Sequence, residues 1–209
     1  MRKIWTYCFN GMGMIILIAL IAFGGLQYRQ AKLAENLSEK IIRFHVKANS
    51  DSRQDQELKL KVRDAVGSYM KEELKGVSDL EESRQVLLRD MENVKERARQ
   101  VIKENGYAYD VSVCLSYVDF PEKSYGDYTF PAGEYEALQV VIGRGQGKNW
   151  WCVMYPNMCF RGSVYEVVDE EAEDSLRQVL TAEEYDAVMK SKDYEIQFRW
   201  LSFLKTLWE

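Results

Sequence analysis

From Ile4 through Tyr28 the chain carries no charged side chain, and Arg2 and Lys3 place a short basic segment just ahead of that run. Its centre, residues 12–26, is almost wholly Met, Ile, Leu, Ala, Phe and Gly. A charge-free stretch of this length matches a signal-peptide core and, counted from Ile4, a membrane span of about 20 residues. Basic residues ahead of such a span hold that end in the cytoplasm, so the rest of the chain is expected on the far side of the membrane. Residues 1–28 are therefore read as a signal peptide or an N-terminal membrane anchor. Both stay open, because Ala22-Phe23-Gly24 is a poor small-x-small cleavage signal. Residues 29–40 are read as a helix-prone stalk or the lead-in to the domain, and residues 41–209 as one exported domain.

The composition narrows what that domain can do. Its 28 basic and 33 acidic side chains give a net charge of -5, and without Arg2 and Lys3 the exported part is more acidic still. A concentrated basic face for nucleic acid is not expected. The single histidine, His45, excludes zinc sites built on several imidazoles and any triad with a different histidine base. With no CxxC pair either, neither a metal nor a cofactor is expected.

Hydrophobic periodicity orders the domain. Residues 41–46 alternate, with Ile42, Phe44 and Val46 on one face and Arg43 and His45 on the other, the pattern of a half-buried strand. Two helices follow, over about 55–74 and from 80 to Asn105-Gly106, the second opened by a capping box at Ser78-Asp79-Leu80-Glu81. Residues 109–118 make a second strand, and 124–129 a short extended piece at an edge between Pro121 and Pro131. Residues 134–142 read as a central strand, and Gly143, Gly145 and Gly147 interrupt it before the aromatic strand 149–155, which predicts a β-hairpin. Helices over 169–190, in two parts, and over 194–208, with Trp200 and Trp208 on one stripe, complete the chain. The expected fold is α+β, a largely antiparallel sheet with a packed αα-hairpin and C-terminal helices.

No catalytic constellation stands out. The loop from Gly143 to Lys148 lacks the spacing and the Ser or Thr of a phosphate loop. Asp110, Asp119, Asp127, Glu134 and Glu136 supply carboxylates for a glycosidase-like pair, but nothing selects two of them. No Asp-Thr/Ser-Gly triplet is present. Cys152 and Cys159 flank a turn at Pro156-Asn157, where a local disulfide and two buried thiols are both open readings. Trp150 and Trp151 point to opposite faces of their strand.

Several stretches together resemble the stage II sporulation protein R family of endospore-forming Firmicutes. They are IIRFHVKANSDS at 41–52, Asp55-Gln56 with Leu58-Lys59, VRDAV at 62–66, KSYGD at 123–127, PAGEYEAL at 131–138, and GKNWWCV at 147–153 continuing to Cys159-Phe160. The resemblance implies a signalling protein and not an enzyme. Members are exported from the forespore into the space between forespore and mother cell. There they trigger a membrane-bound aspartic protease that matures pro-sigma-E. His45, Asn49, Asp51, Tyr125, Asp127 and Trp150 become the candidates for contact with that protease, and an uncleaved N-terminal segment would add the membrane as a partner. A secreted cell-wall hydrolase and a peptidoglycan-binding module are the alternatives.

Overall fold

The structure, a computed structural model, describes residues 2–77, 79–156, 158 and 170–190. Helix α1, Arg2–Ser38, runs unbroken from the charge-free segment into the domain, about 55 Å at the usual rise per residue. By length and composition Gly13–Ser38 suffices to cross a membrane, as a signal peptide or an anchor would. Its last turns are not a free stalk: Ala34 and Leu37 are buried in the core, and Lys40, just beyond the helix, pairs with Glu184 at 2.6 Å.

The αα-hairpin forms as expected. Ser52 caps α2, Arg53–Glu73, by accepting from the Asp55 amide. Asp79, one residue later than the predicted box, caps α3, Leu80–Glu104, by accepting from the Glu82 amide. Gly76 and Gly106 follow the two helices in the left-handed conformation that terminates a helix without a Cβ clash.

The strands among the described residues are β1 (Ile42–Lys47), ahead of the αα-hairpin, and, after it, β2 (Val111–Phe120), β3 (Lys123–Tyr125), β4 (Tyr128–Phe130), β5 (Gly133–Ile142) and β6 (Asn149–Tyr155). The main sheet has the order β2-β5-β1-β6. β2 with β5 and β1 with β6 are antiparallel, while β1 with β5 is parallel. Among the described residues the architecture is α+β, with the smaller helices α4 (Glu170–Val179) and α5 (Ala182–Lys190) completing it. A reciprocal capping box opens α5: Thr181 N–H donates to Glu184, whose own N–H donates to Thr181 Oγ1. The predicted helix over 194–208, with Trp200 and Trp208, lies outside the described residues.

The predicted hairpin is corrected. β5 and β6 run antiparallel but do not pair, because β1 lies between them. Two strand spacings, about 10 Å, separate them, which a two-residue turn cannot bridge and a six-residue loop can. Residues 124–129 are likewise no edge piece of this sheet. They form a separate two-stranded unit, with Tyr125 opposite Tyr128 across a turn in which Gly126 has positive φ.

The half-buried reading of β1 is corrected too, because helical and β elements cover both of its faces. Ile42, Phe44 and Val46 pack with Leu58, Val62, Leu87 and Val94 of α2 and α3. The opposite face of the sheet meets a second apolar layer of Leu37, Phe120, Phe130, Tyr135, Leu176 and Val188. Arg43 and His45 lie in that second layer, and both are buried.

Candidate functional site

Beyond the C-terminal end of β1 the chain turns through Asn49, Ser50, Asp51 and Ser52 into α2, and these residues fasten the loop 143–148 where it arches over the strand. Asn49 is central to the arrangement. Its Oδ1 accepts from the Arg144 amide at 3.0 Å, its Nδ2 donates to Asp55 Oδ2 at 2.9 Å, and its carbonyl accepts from the Gln146 amide at 3.2 Å. Asp51 accepts from the Lys148 amide at 2.6 Å, and Gly147 N–H donates to the Ala48 carbonyl at 2.9 Å. A Cβ at Gly147 would press on the Ser50 carbonyl, so the loop needs glycine there to approach this closely. Burial alone would raise the Asp55 carboxyl, but hydrogen bonds from Ser50, Asn49, Tyr109 and Ser52 outweigh it and hold the group below the usual carboxylate range. Asn49 and Asp51 are thus engaged in loop bracing, with Asp51 still exposed.

On the second face of the sheet, Arg43 is fully buried. Its guanidinium lies 4.1 Å from the Phe120 ring centroid and 4.9 Å from that of Tyr135, and Nη2 donates to Tyr125 Oη at 2.9 Å. Among the described residues Nε and Nη1 meet no hydrogen-bond partner and no carboxylate pairs with the guanidinium. Aromatic faces compensate part of the lost hydration, but a buried cation without a counter-ion is costly. Arg43→Met, which keeps the length of the side chain without its charge, is expected to raise the unfolding free energy by about 1–3 kcal/mol, read from the urea midpoint at constant m-value.

Two residues along the same face, His45 stacks on Trp151 with ring centroids 3.8 Å apart and planes 15° apart. Among the described residues neither ring nitrogen completes a hydrogen bond. Burial pushes its pKa down to about 4, the Lys47 charge adds to that, and nearby Asn149 and Gln139 offset part of it. His45 is neutral at neutral pH, held as an aromatic plate.

The remaining candidates lie elsewhere. Tyr125 is half-buried against Arg43, near the start of β1, while Asn49 follows its end, about 20 Å further on at the rise of a strand. Asp127 is exposed in the β3–β4 turn. Trp150 packs edge-on against Phe44 at 5.5 Å, on the α2 side, with the Arg63 guanidinium over its ring. Trp150 and Trp151 do lie on opposite faces. The six candidates therefore do not converge on one patch. Cys152 is buried and disulfide-bonded; Cys159 lies outside the described residues.

The carboxylates are similarly dispersed. Glu136 is gripped by Arg84, with Nε and Nη2 donating at 2.9–3.0 Å. Asp119 sits opposite Glu134 across the β2–β5 ladder, and both are exposed. Among the described residues no group of three His, Cys, Asp or Glu side chains could hold a metal ion.

Sequence reasoning missed Arg43, Asp55 and Trp151 as members of these clusters. For Asp55 the signal was available: it lies three residues after Ser52, where a helix-capping network forms.

The family model described as "Stage II sporulation protein R" matches residues 38–165, which span the sheet, the αα-hairpin and both clusters. Stage II sporulation protein R of Bacillus subtilis (strain 168) is 35% identical over 168 residues, covering 76% of this chain and 75% of that protein. No solved structure matches. By both comparisons, the chain belongs to the stage II sporulation protein R family.

Proposed function

We propose that this chain is an exported sporulation signal that activates a membrane-bound aspartic protease across the space between forespore and mother cell, leading to processing of pro-sigma-E. The observation that carries the reading is the continuity of α1. A helix whose charge-free run is long enough to span a membrane ends with Ala34 and Leu37 inside the core of the family's domain. A domain held so close to a bilayer surface is suited to meet a receptor in the facing membrane. Activation requires the domain to bind the active arrangement of the protease more tightly than the inactive one. The carboxylates do not favour the hydrolase alternative, since Glu136 is committed to Arg84 while Asp119 and Glu134 are exposed side chains.

Full-length chain in one population of vesicles, mixed with the receptor protease and its pro-protein in another, is expected to start cleavage of the pro-protein. Absence of cleavage with a folded sample and a protease shown competent by an independent trigger would overturn the reading.

A further inference from the structure

Strand β2 is an edge of the main sheet, and among the described residues no strand pairs with its outer side. The Gly143 N–H donates to the Asp110 carbonyl at 2.7 Å, one step beyond the Val111–Ile142 pair of the β2–β5 register. Antiparallel pairs alternate between exchanging both backbone bonds and exchanging none. Ser112, Cys114, Ser116 and Val118 therefore turn their backbone groups toward β5, and Val111, Val113, Leu115, Tyr117 and Asp119 turn theirs outward. Among the described residues none of these outward groups has a backbone partner. The opposite edge differs, since the Val153 carbonyl of β6 accepts from the Met158 amide.

Exposed edges are ordinarily blunted by lysine, proline, a bulge or brevity. β2 has none of these: it runs ten residues in unbroken register, with Asp119 its one charge. Tyr117 is 60% exposed and Cys114 is an exposed free thiol.

We propose that β2 pairs with β2 of a second copy, antiparallel about a two-fold axis through Cys114. The strand is self-complementary in this register. Val113 faces Leu115 of the other copy and Val111 faces Tyr117, an aromatic–β-branched pair, while Ser112 faces Ser116 on the other side. Asp110 meets Val118 and Asp119 meets Tyr109, so no like charges oppose. An axis through Leu115 would instead set Val111 against Asp119. Because Cys114 spends its backbone bonds on β5, the two Cys114 residues form a non-hydrogen-bonded pair with Cα atoms about 4.5 Å apart, within disulfide reach. This inference stands independently of the proposed receptor.

The test uses the full chain in detergent micelles. Sedimentation should show dimers, and oxidised glutathione should cross-link them. One Cys114 thiolate attacks the glutathione disulfide and releases one glutathione; the second Cys114 thiolate attacks the mixed disulfide and releases the other. The doubled band should vanish with Cys114→Ser. Ser112→Glu with Ser116→Glu sets two like-charge pairs across the axis and should weaken association about tenfold. Ser112→Glu with Ser116→Lys should restore it, a register-specific result that folding defects cannot mimic. Tyr117→Pro, which removes an outward N–H and leaves the β5 ladder intact, should also give monomers. A wild-type chain that stays monomeric overturns the proposal. So does a dimer indifferent to both glutamates and the proline, which would assign association to α1 or another surface.

Discussion

Between pH 6.5 and about pH 4 the wild-type chain should lose roughly 3 kcal/mol of stability, and His45→Phe should abolish most of that loss. His45 is the only histidine, so no other imidazole titrates in the window. Its folded pKa lies at about 4, chiefly through burial, against 6.5 for the ordinary side chain. Between these values the unfolded chain takes up a proton that the folded chain refuses. Stability therefore falls as pH falls, by up to about 1.4 kcal/mol per pH unit, and levels off below the folded value. Phenylalanine keeps a ring against Trp151 and cannot titrate, so urea midpoints of the variant should be nearly flat from pH 6.5 to 4.5. A wild-type slope that survives in His45→Phe would show that the imidazole is not the buried neutral group described here. The carboxylates are separable by pH. Asp55, Asp90 and Glu184 have folded pKa values below their ordinary ones despite burial, through the hydrogen bonds they accept. Their contributions are present above the unfolded carboxylate range and disappear only as pH drops below it.

Asn49→Ala should cost about 3 kcal/mol at pH 7. The substitution leaves the Arg144 N–H without its acceptor and takes one donor from the Asp55 carboxylate, itself 4% exposed. Asn49→Asp should be worse at pH 7, because it sets a second carboxylate where an amide donated to the first. Acid should narrow the gap between the two variants, since protonating either carboxyl restores a donor. Equal destabilisation by both substitutions at every pH would exclude the Asn49–Asp55 bond as the link that matters. Loss of the proposed signalling activity in these variants should track loss of stability, in keeping with a bracing role for Asn49.

The helices were legible in the sequence because their determinants are local. The apolar stripes of α2 and α3, their glycine stops and the Thr181–Glu184 box act within one or two turns of the residues that form them. Trp150 and Trp151 were separable by strand alternation alone. The candidate clusters were legible only in part. The run from Ile41 to Ser52 identified Asn49 and Asp51, but the loop they hold comes from residues nearly a hundred positions later.

By itself the sequence determined the apolar N-terminal helix, the α+β class, the αα-hairpin and, through its composite motifs, the family. The tertiary structure alone decided which strands are neighbours and which faces are covered. Alternation places Arg43 and His45 together on one side of β1, yet it cannot reveal whether water or a second apolar layer meets them. Nor can hydrophobic pattern distinguish a tight hairpin from two strands with a third inserted between them. Strand pairing and burial depend on contacts distant in sequence, here β1 entering between β5 and β6 and α1 closing over the far face, and no local residue pattern encodes them.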